Sequence, residues 1–473
     1  MKKHFIAGLA AVTLLVACDN KSKSTSTETS SEFASNIGWK STASIYEVNI
    51  RQHTPEGTIA AFTQDLDRIS RMGVGILWIM PVQPIGMQGR KDPKDNGKSL
   101  GSYYSISDYT AVNPEFGTEA DFKAMVDKAH ELGMKVILDW VANHTAFDHH
   151  WASEHPEFYN HDENGDISVA RNNDGTLTDW TDVADLNYDE PGLHKAMVEE
   201  MSWWISQFDI DGFRCDVAGY VPHEFWQSAI PQLHDVKDDI FMLAEWDEPY
   251  LHDVFDMTYG WDFHHRTNEV AKGKAYATTF DDYKRHLDTA YPADAMKMLF
   301  TTNHDENSWN GTVYERYGDG HKAFFVLCAT YEHGMPLIYS GQEAGLDHRL
   351  EFFYKDTVTW KNPNLEAFYA IAIKTKTANP ALWNAPDGGE QEKITTTNDA
   401  NVYAFTRKKG DNTVIVFINL SNVPTSFTYN GNIETNTYEE VFTGNLLNLE
   451  STGAMDLGPY EYMVFSSQIT GVE

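Results

Sequence analysis

Arg214 and Asp216 stand two residues apart in GFRCDVA, residues 212–218, a stretch that reads as the end of a β-strand. Side chains two apart on a strand share a face, so these two point one way and Cys215 the other. A guanidinium beside a carboxylate favours the ionised form. An ionised, pinned carboxylate suits a nucleophile or a metal ligand, although taken alone the pair reads first as an ordinary structural salt bridge. It does not stand alone. Asp139 and the pair Asn143-His144 lie in DWVANH, Glu245 in MLAEWDE, and Asn303-His304-Asp305 in FTTNHDEN, each at the end of an apolar run. Chance easily places one carboxylate at a strand end, but not all of them.

The pattern from about residue 40 supplies the elements that would hold these side chains. Short apolar runs predict strands at Ser44–Ile50, Ile76–Pro81, Lys135–Trp140, Gly212–Asp216, Ile240–Glu245, Asp253–Thr258, Met296–Thr302 and Pro336–Ser340. Amphipathic stretches such as Thr118–Leu132, Pro191–Phe208 and His321–His333 lie between them. That alternation predicts an α/β fold, a (β/α)8 barrel over 39–382, whose working residues belong at the C-terminal strand ends. A doubly wound open sheet is the alternative, but no glycine-rich phosphate loop follows the first strand. The connection after the third strand, 145–190, is too long for an ordinary βα loop and predicts a short inserted subdomain. From 383 to 473 only strands are expected, including Asn401–Thr406, Thr413–Asn419 and Tyr460–Phe465, as a separate antiparallel β-sandwich domain.

Composition narrows the partners. Seventy acidic residues against 36 basic ones give a formal net charge of −34, which disfavours nucleic acid and anionic membrane surfaces. A neutral substrate fits better, and 13 Trp with 23 Tyr suit stacking on flat ligands or sugar rings. Residues 1–17 read as a signal peptide, Lys2 and Lys3 preceding an apolar run too short to span a bilayer. Leu15-Val16-Ala17-Cys18 resembles the lipobox of bacterial lipoproteins, which implies lipidation at Cys18. It would leave 18–38 as a flexible tether and place the protein outside the cytoplasm, anchored to a membrane (outer membrane, cell surface or periplasm) through that lipid alone. Cys215 and Cys328 then remain, so no disulfide framework is expected.

The four strand-end motifs, in this order, are similar to those of the α-amylase family, glycoside hydrolase family 13, and GMPLIYSGQE at 334–343 resembles that family's eighth strand. The resemblance covers nearly all of the mature chain. It implies retaining cleavage of α-1,4 bonds in starch-type α-glucans or maltooligosaccharides. Asp216 would be the nucleophile, Glu245 the general acid/base, and Asp305 the carboxylate that grips sugar hydroxyls. It further implies substrate contacts from Arg214, His144, His304 and Tyr104 (in GSYYSISDY), with Tyr103 as the competing aromatic. Asp139 is expected to act through Arg214. Calcium, held by Asn143 and by Asp185 in VADLN, is implied by many family members, and a metal-free packing of the same groups is the alternative. A transglycosylase or an α-1,6-acting member would share this constellation; a non-catalytic glucan-binding protein should have lost part of it. One departure stands out. Gly219-Tyr220 replaces the Lys-His pair that many α-amylases carry after the nucleophile, and Trp246 follows Glu245, so leaving-side preference is expected to differ there.

Overall fold

The computed structural model describes residues 38–468; the signal peptide, the Cys18 lipidation site and nearly all of the tether lie outside the described residues. Eight parallel strands close into a barrel. In chain order the strands are β1 (Ile45–Val48), β2 (Ile76–Ile79), β3 (Lys135–Trp140), β4 (His144–Thr145), β5 (Ala184–Asp185), β6 (Gly212–Cys215), β7 (Phe241–Ala244), β8 (Met257–Tyr259), β9 (Met296–Leu299) and β10 (Gly334–Tyr339). The short pair β4–β5 is antiparallel and belongs to the insertion, while the other eight form the barrel wall, β1 closing against β10.

Strand alternation sorts the wall into two faces. Ile45, Ile76, Trp78, Ile137, Leu243, Met257, Tyr259, Met298 and Leu337 fill the barrel interior. Their neighbours Tyr46, Leu77, Val136, Leu138, Trp140, Phe213, Cys215, Met242 and Ala244 pack outward under the helices. Cys215 therefore packs outward, as its position between Arg214 and Asp216 predicts. The entry to β6 needs a glycine: Gly212 has φ +141°, and a Cβ there would lie 2.0 Å from the carbonyl oxygen of Phe241.

Helix ends follow their local chemistry. Glu119–Glu131 begins with a capping box between Thr118 and Asp121. Pro191–Phe208 starts with Pro at its first turn and ends at Asp209 in the left-handed conformation. The expected strand at Asp253–Thr258 is corrected to Met257–Tyr259, because Pro249–Asp253 forms a 3-10 turn instead. The link after β7 is too short for a helical crossover, and proline sets the turn's φ. The helix predicted to run to His333 stops at Thr330, where Tyr331 turns extended.

Beyond the helix Pro363–Ala378, two antiparallel sheets stack. The larger is built on Val402–Lys409 and Asn412–Asn419, the smaller on Thr425–Asn430 and Thr452–Leu457. Phe417 meets Tyr429 across the gap at 5.0 Å. The larger sheet's other face is also covered. Tyr403, Phe405, Val414, Val416 and Ile418 join the apolar cluster of the barrel helices, and Arg407 Nη1 donates to the Thr330 carbonyl at 2.9 Å. The β-sandwich thus packs one face of its larger sheet onto the apolar cluster of the barrel helices. Strands buried on both faces lose the alternation by which sequence exposes them.

Candidate active site

The C-terminal strand ends bring the carboxylates around one guanidinium. Arg214, fully enclosed on β6, places Nη1 2.8 Å from both Asp139 Oδ1 and Asp216 Oδ1, and Nη2 2.7 Å from Glu245 Oε1. Its Nε donates to Tyr259 Oη at 3.1 Å, and Trp78 lies 5.0 Å from its Cζ. The site's own carboxylates thus surround Arg214, while its Nη2 has no hydrogen-bond partner among the described residues. Asp139 pairs with Arg214, and Trp78 Nε1 donates to its second oxygen at 3.1 Å.

Burial dominates the electrostatics. It pushes Asp216 up to about 6, with Arg214 pulling back and Asp139 and Asp305 pushing further. The same burial raises Glu245 to about 7, against Arg214 and with Asp216 and Asp305 adding to the rise. The guanidinium thus limits the upward shift of Asp216 but does not reverse it. Glu245 nevertheless stays above Asp216, the order that an acid and a nucleophile require. Val217, directly after Asp216, sits at φ +36°, a strained position for a β-branched residue. That conformation turns its backbone N–H onto Glu245 Oε2 at 2.8 Å.

Asp305 joins from beyond β9. His304 Nε2 lies 3.3 Å from its Oδ2 and 2.8 Å from Tyr104 Oη, and Tyr104 donates to Asp139 Oδ2 at 3.2 Å. Tyr104 stacks on His304 at 5.6 Å and on Phe352 at 6.3 Å, with exposed Trp309 5.2 Å from Phe352. Tyr103, the competing aromatic, is instead core, its ring 4.1 Å under the Arg51 guanidinium. His144 is buried and held neutral, its pKa lowered to about 3 by that burial, beside the Tyr104 backbone.

The leaving-side departures are one feature. A Cβ at position 219 would lie 2.2 Å from the Trp246 ring, so only glycine lets that indole lie flat against the loop. Tyr220 meets Trp246 edge-on at 5.3 Å, and Trp180 of the insertion stacks on Tyr220 at 6.4 Å. Trp246, Tyr220 and Trp180 thus form an aromatic arc beyond the nucleophile. Trp180, Phe352 and Trp309 carry no motif, so sequence could not single them out, and Glu47 was hidden inside an apolar strand.

Asn143 and Asp185 come together at β4–β5, where His144 pairs with Asp185. The Asp185 carboxylate already has protein partners. Asp185 Oδ2 accepts from Asn160 Nδ2 at 2.8 Å, Oδ1 from the Arg171 backbone at 3.2 Å, and Arg171 Nε lies 3.6 Å away. The Asn143 amide faces His144 Nδ1 at 3.2 Å. A cationic side chain already sits on the one carboxylate that would bring charge to the ion. Among the described residues no cluster of three or more His, Cys, Asp or Glu forms a metal site.

A parallel eight-stranded barrel whose strand ends converge an enclosed arginine, a pair of electrostatically distinct carboxylates and a third carboxylate defines a glycoside hydrolase site. The chain belongs to the α-amylase family: the model "Alpha amylase, catalytic domain" matches residues 21–403, and "Maltogenic Amylase, C-terminal domain" matches 393–464. It is 26% identical over 411 residues to Alpha-amylase MalA of Haloarcula japonica, covering 82% of this chain and 57% of that one, so it spans little more than half that relative's length. Its fold matches the crystal structure of the maltogenic alpha-amylase AmyB from Thermotoga neapolitana (TM-score 0.80, 29% identity, 90% of this chain and 98% of that one). An alpha-amylase from Lactobacillus plantarum is similar too (TM-score 0.79, 29% identity, 90% and 99%).

Proposed function

We propose that this chain hydrolyses α-1,4-glucosidic bonds of starch-type glucans or maltooligosaccharides with retention at the anomeric carbon. The observation that carries the reading is the Arg214 cluster. Two neighbouring nitrogens of one guanidinium hold Asp216 and Glu245, which supports the short separation, about 5–5.5 Å, of double-displacement glycosidases. Asp216 attacks the anomeric carbon as Glu245 gives its proton to the departing oxygen, forming a glycosyl-enzyme ester. Glu245, now ionised, takes a proton from water, which attacks the same carbon and restores Asp216. Asp305 and His304 hold sugar hydroxyls, and Tyr104 offers its ring to the apolar sugar face. NMR of the first product from maltoheptaose should show the α anomer; a β anomer would mean inversion and end this mechanism.

The aromatic arc of Trp246, Tyr220 and Trp180 favours a second reading alongside the first, transfer to a sugar acceptor stacked there in place of water. Products longer than a maltotriose substrate would reveal it.

Arg171 on Asp185 supports a barrel–insertion junction held without calcium. The thermal unfolding midpoint should be the same with and without a chelator, and a drop of several degrees on chelation would count against this. Export and lipid anchoring at Cys18 remain part of the proposal on the lipobox-like residues, with membrane fractionation as the check. No described helix is long and apolar enough to cross a membrane.

A further inference from the structure

Glu47 lies on β1 with its side chain fully buried, pointing into the barrel under the site. Its Oε1 meets His304 Nδ1 at 2.5 Å and the His304 backbone N–H at 3.4 Å, while Oε2 has no hydrogen-bond partner. A buried carboxylate with a bare oxygen is costly unless a counter-charge faces it. Proton accounting supplies one. Tyr104 gives its only hydroxyl proton to Asp139, so its oxygen accepts from His304 Nε2 at 2.8 Å. Nδ1 faces Glu47, which only accepts while it is ionised. Both ring nitrogens then carry protons.

Resting on the hydrolase reading above, we propose that Glu47 is a positioning residue: it holds His304 as an imidazolium, so that the Nε2–H is kept as a donor facing Asp305 and the cleavage point. The site thereby has two cations for its carboxylates, Arg214 for Asp139, Asp216 and Glu245, and His304 for Glu47 and Asp305. Burial pulls the His304 imidazole down, but Asp305 and Glu47 outweigh it and lift it well above the ordinary histidine value. Burial likewise raises Glu47, with His304 and then Arg214 pulling back. The other ionisable groups around the pair are Tyr104, Asp139 through Tyr104, and Tyr259 and Tyr339, both of which sense Glu47. Trp78 meets the imidazole edge-on at 5.9 Å.

A histidine with a raised folded value keeps its proton through neutral pH and loses it only above that value. Removing the Glu47 charge lowers the point of loss. In Glu47→Gln the alkaline limb of kcat/KM should move down by about one pH unit or more, with about tenfold lower turnover at pH 8 and convergence with wild type, to within about threefold, at pH 5.5. The loss should fall on kcat more than on KM. Glu47→Asp keeps the charge and should restore the limb's position even where its shorter side chain lowers kcat throughout. Nitrogen shifts of His304 in the wild type at pH 8 should be those of an imidazolium. A neutral ring there, or a Glu47→Gln profile lowered equally at every pH, would overturn the proposal. Neither result touches the hydrolase reading, which stands or falls with Asp216→Asn and Glu245→Gln.

Discussion

Asp216→Asn and Glu245→Gln should each lower kcat on starch by on the order of 10^4-fold while leaving the fold intact. Both side chains are buried, both substitutions are isosteric, and each removes one chemical capacity. An amide at 216 cannot form the glycosyl ester. An amide at 245 cannot give a proton to the leaving oxygen or take one from water. The two losses should differ in substrate dependence: a leaving group that needs no proton, such as a dinitrophenyl glycoside, should rescue the first step of Glu245→Gln and not that of Asp216→Asn. The pH profile gives an independent check. With Asp216 raised to about 6 and Glu245 to about 7, free-enzyme kcat/KM should trace a narrow bell between those values, whose limbs belong to the coupled group. Glu245→Gln should lose the limb near pH 7, leaving loss of the His304 proton as the alkaline limit. Starch turnover within tenfold of wild type in either variant would remove the assignment.

What the sequence could and could not show has a physical pattern. The carboxylates were legible because strand ends are short, apolar and followed by polar residues, so Asp216, Glu245 and Asp305 stand out against their flanks. Arg214 was legible as the partner of Asp216 by its two-residue offset, and of Asp139 through the family resemblance, but its reach to Glu245 on the neighbouring strand was not. The net effect on Asp216 was also out of reach. Offset predicts attraction, whereas the rise comes from burial, which depends on every surrounding element. Glu47 sits within the run Ile45–Val48, a charged residue on a wholly buried strand, and without a partner to name it offered no chemistry. The calcium expectation followed Asn143 and Asp185 and could not anticipate Arg171, fourteen residues before Asp185, turning back onto that carboxylate. The C-terminal strands Val402–Lys409 and Asn412–Asn419 were found by their β-branched and aromatic content, but being covered on both sides they gave no sign of which face met the barrel.

Replacing Arg214 should be the most destabilising single change in the site. Arg214→Met keeps the length of the side chain and removes the cation that Asp139, Asp216 and Glu245 share. Breaking a buried pair by deleting one partner typically costs about 3–5 kcal/mol, because an uncompensated charge stays behind. The sign of its pH dependence follows from the carboxyl shifts. Asp139 and Asp216 stand at about 6, raised first by burial with Arg214 opposing, and Glu245 at about 7. A folded carboxyl raised above its unfolded value favours the fold while protonated, and that contribution is lost as pH climbs from the unfolded value through the folded one. The wild type should therefore lose stability between about pH 4 and pH 7 from these groups. Without the guanidinium their values rise further, so the deficit of Arg214→Met should be largest above pH 7 and shrink towards pH 5. A Tm deficit constant across that range would show that packing, not charge, is what Arg214 supplies. Arg214→Lys separates position from charge. One ammonium carries the charge but cannot span Asp139 and Asp216 on one side and Glu245 on the other. It should recover part of the stability and still lose at least about 100-fold in kcat, since Asp216 and Glu245 would no longer be held at fixed spacing. Stability in this site then follows the net charge around position 214, and catalysis follows the geometry of the fork.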